Sequence, residues 1–173
     1  MKDENFAGNA KSATDFLGNE WHFNCMGCAI VNGDIQVPGG VIYDGDVAIL
    51  AADPEIPIPG FLVVNIKRHV RSLSELNQKE RHEVADVIAC AEKALKTLGI
   101  SEVTLVQEER SSHLHFWIFP NYAWMTEKYG KGIAYLREIS AYAKESVTDE
   151  SKREVLEAIE KVREYFKSHN ISD

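Results

Sequence analysis

The sequence predicts an α+β protein in which about five short strands form an antiparallel sheet and one long helix packs on it. Three observations carry this expectation. Val103-Thr104-Leu105-Val106 and the run from Ser112 to Pro120 are β-branched and aromatic, and a short polar loop separates them, so they pair antiparallel. Val41-Ile42-Tyr43 and Val47-Ala48-Ile49-Leu50 flank Asp44-Gly45-Asp46, a hairpin turn. Asn77 and Glu80 form a capping box, after which Val84, Val87, Ile88, Ala91, Ala94, Leu95 and Leu98 recur at helical spacing before Gly99 stops the run. That helix should span about Gln78 to Leu98.

The chain has 173 residues, enough for one domain with a terminal extension. A net charge of −8 argues against a nucleic-acid polymer or an anionic membrane as the main partner. No apolar run approaches the ~20 residues of a membrane span. Met1 to Asn5 lacks the apolar stretch of a secretory signal, so a cytoplasmic protein is expected. Three cysteines in a reducing compartment do not suggest a disulfide framework.

Residues 1–20 are polar and small and read as an N-terminal extension, with a short helix expected around Lys11 to Leu17. Residues 21–125 read as the main domain. Cys25 and Cys28 are spaced C-x-x-C, which alone is a weak signal and leaves redox and structural readings open. Cys90 is a small helix residue. Asn32-Gly33-Asp34 and Pro38-Gly39-Gly40 mark turns, and the three prolines between Asp53 and Pro59 mark an extended loop. Phe61 to Ile66 is nearly continuously apolar, as a central strand should be, and it ends in Lys67-Arg68-His69. Residues 126–173 read as a helical extension. Ile133 to Lys144 and Thr148 to Lys167 are both helical in pattern. The second carries Val155, Leu156, Ile159, Val162 and Phe166 on one face, with Thr148 or Asp149 as its cap.

The candidate chemistry lies in Ser112-His113-Leu114-His115-Phe116-Trp117-Ile118-Phe119-Pro120. Strand alternation sends Leu114, Phe116 and Ile118 into a core and His113, His115 and Trp117 to the other face. A single histidine there would read as packing. Two at i and i+2 point to chemistry, because imidazole serves as acid, base, nucleophile or metal ligand. Two satisfied histidines on a half-buried strand remain the plainer alternative.

The order of C-x-x-C, hairpin, proline-rich loop, apolar strand ending Lys-Arg-His, long helix and His-Leu-His strand resembles the histidine triad superfamily. The residues that carry the resemblance are Cys25 to Ile30, Asp53, Gly60 to His69 and His113 to Pro120. It implies the same α+β sheet fold, a homodimer, and a nucleotide as small-molecule substrate. The implied reaction is hydrolysis or transfer of a nucleoside monophosphate from a dinucleoside polyphosphate, a phosphoramidate or a similar conjugate. His115 takes the position of the family's nucleophile, attacking the α-phosphorus to form a nucleotidyl-histidine. By position, Cys25, Cys28, His69 and His113 match the structural zinc ligands of the zinc-containing branch, a closed Cys₂His₂ set. His22 is an alternative ligand; His82 and His169 are expected on exposed helix faces.

Asp53 matches the family's acceptor for ribose hydroxyls, although an aspartate before Pro54 is also an ordinary turn arrangement. Ser111 offers a hydroxyl to a phosphate and Arg110 a charge, and either is equally a solvated loop residue. The third histidine of the family pattern is Trp117 here. An indole donates one N–H and does not titrate, so Trp117 is expected to bind a phosphate oxygen or shape the pocket. The uridylyltransferase branch carries glutamine at this position and is active. The competing expectation is a catalytically weak nucleotide sensor or adaptor, which the loss of that histidine favours.

Overall fold

A computed structural model describes residues 11–172. The first half of the expected N-terminal extension therefore lies outside the described residues. The central feature is a five-stranded antiparallel sheet built from β3 (Tyr43–Asp44), β4 (Ala48–Ala52), β5 (Leu62–Ile66), β6 (Val103–Val106) and β7 (His115–Pro120). Its spatial order is β3-β4-β5-β7-β6. The α+β expectation holds, and β5 is central, as its unbroken apolar run required. A separate two-stranded ribbon joins β1 (Lys11–Thr14) to β2 (Glu20–Phe23).

β1 overturns the helix expected around Lys11 to Leu17. Ser12 pairs with His22 and Ala13 with Trp21. The reversal is organised by Asp15, which is buried. Its Oδ1 accepts the Leu17 and Asn19 backbone N–H groups at 2.9 Å each, and its Oδ2 accepts the Asn19 side-chain amide at 2.8 Å. Gly18 supplies the left-handed turn residue, φ 95°. A carboxylate that satisfies the loop's own donors stabilises the turn and leaves no helix to propagate.

The long helix α2 (Gln78–Thr97) starts at the expected capping box. Asn77 accepts from the Glu80 N–H, and Glu80 Oε2 accepts from the Asn77 N–H at 2.7 Å. Its buried face, including Val84, Val87, Ala91 and Leu95, lies on one side of the sheet against Leu50, Leu62, Val64, Phe116 and Ile118. From α2, Glu83 Oε1 accepts the Val47 and Ala48 N–H groups and so ties the helix to the β3–β4 hairpin.

The opposite face of the sheet is covered in two patches. Under β4, Ile49 and Ala51 pack on Ala29, Ile30, Ile35 and Val37, which belong to the short helix α1 (Met26–Val31) and the turn after it. At the other end, Phe61, Val63 and Phe119 pack on Met125, Leu136, Ile139 and Ala143. These come from α3 (Ala123–Lys128), a helix the sequence reading did not anticipate, and α4 (Leu136–Glu145). The gap between the two patches is where the histidines stand.

The last helix, α5 (Asp149–Ser168), is capped by Thr148 as expected. It does not stand apart from the main core. Val155, Ile159, Val162 and Phe166 share the cluster that α2 forms with the sheet. Arg163 donates to the backbone carbonyls of Gly39, Gly40 and Val41. Gly39 has φ +75°, and a Cβ there would sit 2.6 Å from Ile159 Cδ1, so the turn needs glycine both for conformation and for close approach to α5. Among the described residues, no helix is long and apolar enough to cross a membrane.

Candidate active site and metal centre

Cys25 immediately precedes α1 and Cys28 lies in its first turn, so the C-x-x-C spacing places both sulfurs at one helix end. A helix N-terminus favours the thiolate form. His69 follows β5. The chain there is fixed by Arg68, which donates to both carboxylate oxygens of Glu80 at 3.1 and 3.0 Å. His113 precedes β7 and is buried.

These four side chains converge, with their ligand atoms all within 4.8 Å of one another. His69 Nδ1 lies 3.6 Å from Cys25 Sγ and 3.0 Å from Cys28 Sγ. His113 Nδ1 lies 3.5 and 3.4 Å from the same sulfurs. Tetrahedral zinc, with Zn–S near 2.3 Å and Zn–N near 2.05 Å, puts sulfur and nitrogen about 3.6 Å apart. The second ring nitrogen completes the case. His113 Nε2 lies 2.6 Å from the Ile66 carbonyl oxygen, so its N–H donates there and Nδ1 is left as the ligand atom. Burial holds the His113 pKa below the ordinary value, favouring the neutral, ligating imidazole. Burial, then the hydrogen bond and charge of Cys25, push the Cys28 thiol up to about 11. A cation between two such sulfurs reverses that tendency. The set fits a closed, structural zinc site, and His22, on β2, is not in it.

His115 opens β7 and pairs in register with Asn65 of β5. The expected alternation is correct for His115 and Trp117, whose ring centroids are 6.4 Å apart. It extends to His113, which lines the same cavity, while Leu114 is buried with Phe116 and Ile118 on the other side. The expected strand began at Ser112, whereas the assigned strand begins at His115. Leu114 accepts from Ile66 N–H at 3.3 Å and donates to the Val70 carbonyl at 2.6 Å. The His113 ring meets the cysteines, and its carbonyl serves His115. His115 Nδ1 is 2.9 Å from His113 O. With the proton on Nδ1, Nε2 carries the lone pair. Ser111 Oγ donates to the same carbonyl at 2.9 Å and lies 3.4 Å from His115 Nδ1.

A cavity of 200 Å³ brings Asp53, Asn65, Ser111, His113, His115 and Trp117 together, with Ile30, Val37 and Val63 as apolar walls. Asp53 is buried at the far end. Its Oδ1 accepts the Glu55 and Ile56 backbone N–H groups at 2.9 Å each, which is the plain turn arrangement, and it also lines the cavity. Burial pushes its carboxyl up to about 6, against the pull of those two N–H groups. Arg110 is exposed and paired with Glu108 at 3.0 Å rather than turned into the cavity. Trp117 spans the cavity and the α3–α4 patch. It meets Phe61 edge-on at 5.2 Å and packs with the cluster that includes Met125 and Leu136. A larger groove of 760 Å³ runs between the Pro57–Pro59 loop, α4 and α5, but none of the described residues lining it is a histidine or cysteine. The concentration of imidazole, carboxylate and amide groups, with the cysteine and histidine cluster meeting it at His113, identifies the smaller cavity as the candidate site.

Two contributors escaped the sequence reading. Asn65 is a buried amide facing the cavity at the level of His115, and its signal was a lone polar residue in an apolar strand. Gly27 lies against the His113 ring, and its signal was the glycine inside the C-x-x-C.

No family model matches this sequence. No curated protein matches it either. Solved structures do. A hypothetical histidine triad nucleotide-binding protein from Sulfolobus tokodaii is 19% identical, with 83% of this chain and 94% of that one covered and a TM-score of 0.60. A zinc-bound histidine triad family protein from Mycobacterium smegmatis is 18% identical over 80% of this chain and 94% of that one, TM-score 0.56. A HIT-like protein from Bartonella henselae is 20% identical over 80% and 93%, TM-score 0.56. At these identities the likeness establishes the fold.

Proposed function

We propose, with the histidine triad fold of this chain as the premise, that it hydrolyses or transfers the nucleoside monophosphate of a nucleotidyl conjugate through a covalent bond to His115. The observation that supports this most directly is the His115 ring itself. A carbonyl acceptor 2.9 Å from Nδ1 defines the tautomer, so an unprotonated Nε2 borders the cavity. In the proposed reaction Nε2 attacks the α-phosphorus. The positive charge that develops on the ring is met by the His113 carbonyl. Asn65 is the donor assigned to the phosphoryl oxygens, since no lysine or arginine among the described residues lines the cavity, and Ser111, whose hydroxyl donates to the His113 carbonyl, positions that carbonyl beside them. Trp117 shapes the leaving-group side. When zinc is bound at Cys25, Cys28, His69 and His113, it supplies rigidity, holding the His113 carbonyl where His115 needs it. Turnover of a dinucleoside polyphosphate, followed by release of the nucleoside monophosphate, tests the proposal. A second reading, a weakly active nucleotide binder, is favoured by the packing of Trp117 into the α3–α4 patch. Binding of the nucleotide with no turnover of any conjugate would establish it.

Asp53 is assigned to the ribose hydroxyls, through the oxygen that the backbone does not use. This makes binding pH-dependent. In the free protein the carboxyl is protonated below about 6. Ribose hydroxyls donate to the ionised form and lower its pKa, while further burial adds little to a group already buried. Adenosine binding should therefore release protons near pH 6 and none at pH 8, and affinity should fall as pH drops through 6. Calorimetry in buffers of different ionisation heat checks this; proton uptake at pH 6 contradicts the assignment.

We also infer a two-fold homodimer. β6 is an outer strand of the sheet with Leu105 exposed on it, an edge that a second copy would cover. Sedimentation at micromolar concentration should return twice the chain mass, and a monomer mass refutes the pairing. We place it in the cytoplasm, where its three cysteines remain free, and the net charge of −8 supports a small nucleotide rather than a nucleic-acid polymer as its partner.

A further inference from the structure

This inference rests on the nucleotidyl-histidine reading and concerns the bond that breaks. Attack at the α-phosphorus expels a leaving group with its electron pair. Whether that group requires a proton depends on which donors stand beside His115. His113, on one side, has both ring nitrogens engaged: Nε2 with the Ile66 carbonyl at 2.6 Å, Nδ1 with the two sulfurs at 3.5 and 3.4 Å. Trp117, on the other side, carries an indole N–H, a hydrogen-bond donor that does not act as an acid. Ser111 already donates to the His113 carbonyl.

Two carboxyl groups also line the cavity, but at its far end. His115 pairs with Asn65, and Asn65 with Ile49. Asp53 lies a further four residues on from Ile49, about 13 Å along the strand direction and about 10 Å across two strands from His115 at the backbone. Glu55, beyond it, is ion-paired with Lys144 at 3.1 Å. Among the described residues that line the cavity, none is placed to hand a proton to a group leaving from phosphorus at His115.

We propose that the site cleaves nucleotidyl conjugates whose leaving group departs as a stable oxyanion, a phosphate, polyphosphate or carboxylate, and is closed to conjugates joined through an amine nitrogen. The His115 Nε2 lone pair forms the P–N bond as the P–O bond to the leaving group breaks. The leaving oxygen keeps that electron pair and departs unprotonated. A water oxygen then forms a P–O bond, the P–N pair returns to Nε2, and the water proton passes to solvent. Phosphate and carboxylate are stable anions near neutrality, with pKa values of about 6 and about 4. An amine expelled with the P–N pair would be an amide anion, so its nitrogen must be protonated as the bond breaks, and none of the described residues lining the cavity is placed to do it.

The test compares a dinucleoside triphosphate with an alkyl phosphoramidate of the same nucleoside monophosphate, on the wild-type protein and on Trp117→His. In the wild type, kcat/KM for the triphosphate should exceed that for the phosphoramidate by at least about 100-fold, the size of a general-acid contribution. Trp117→His, which places a titratable ring on the leaving-group side, should narrow that ratio by at least about tenfold. A wild-type ratio near one, or an unchanged ratio in the folded variant, overturns the inference. Should the variant not fold, nucleoside 5′-aryl phosphates with phenols of graded acidity serve on the wild type alone. A steep dependence of rate on phenol acidity supports the inference, and a flat one overturns it. If both conjugates are cleaved at similar rates and His115→Ala abolishes both, the nucleophile stands and only this inference falls. If neither is cleaved, the functional reading falls and this inference with it.

Discussion

His115→Ala is expected to lower kcat for nucleotidyl hydrolysis by about 10³-fold or more while leaving nucleoside binding nearly unchanged. The split follows from the proposed roles and the layout of the cavity. In the proposed reaction the imidazole whose Nδ1 is 2.9 Å from His113 O supplies the attacking nitrogen. The proposed nucleoside end is the other one, where Asp53 lines the cavity with Ile30, Val37 and Val63. Removing the ring therefore deletes a covalent step and little ground-state contact. Single-turnover kinetics and calorimetry with a nucleoside monophosphate measure the two halves separately. Acid-quenched wild-type protein should also carry the mass of one nucleoside monophosphate if the second step is slow, and the variant should not. Wild-type rates in His115→Ala, on a substrate the protein cleaves, would show that another group is the nucleophile.

Gly27→Ala is expected to destabilise the protein by about 1–3 kcal/mol, the cost typical of overpacking, and to remove most of its zinc. The sign is the informative part. Gly27 lies within α1, where alanine ordinarily stabilises a helix by about 1 kcal/mol over glycine. Here a Cβ would sit 2.5 Å from His113 Cγ and 2.6 Å from Cδ2. The ring cannot retreat, because the Ile66 carbonyl holds one nitrogen and the sulfurs flank the other. Either α1 or His113 must move, and both carry zinc ligands. The melting temperature should fall by roughly 2–12 °C. Elemental analysis of protein purified without added metal should find near-stoichiometric zinc in the wild type and a small fraction of that in the variant. Activity should fall too, since His113 supplies the carbonyl that orients His115. Zinc-free wild-type protein that is no less stable for the lack, or a fully metallated and undiminished variant, would remove the metal centre from this account.

The sheet, α2 and the ligand set were legible because their signals are local. The capping box at Asn77 and Glu80 and the periodic stripe behind it located α2 to within a residue at its C-terminal end. The hairpin at Gly45 and the short loop before β7 dictated antiparallel neighbours. Lys11-Ser12-Ala13-Thr14 was misread because nothing in those residues declares a strand. They become one through backbone bonds to Glu20–Phe23 and through a buried aspartate that holds the turn between them. The start of β7 was placed too early, at Ser112, but the alternation along it was legible: Leu114 is buried with Phe116 and Ile118, and His113 shares the cavity with His115 and Trp117.

Trp117 shows the limit most clearly. In the sequence it stands where the resemblance expects a histidine. In the fold it packs between Phe61 and the α3–α4 patch. Two helices were readable after Pro120, but not that α5 would close the main core while α4 closed the opposite face. An amphipathic stripe states that a helix has a buried side, and it carries no address for the surface that buries it.

By itself the sequence determined the periodicities, caps and turns of this protein, and the order of its cysteines and histidines along the chain, because these depend on bonds and contacts within a few residues. Only the tertiary structure decided which nitrogen His113 and His115 present, that one backbone carbonyl meets His115 while its own ring joins the metal set, and that, among the described residues, the cavity's carboxyl groups lie on the segment after β4 and not beside His115. Those depend on strands and helices distant in the chain meeting within about 3 Å, the range over which a hydrogen bond has direction.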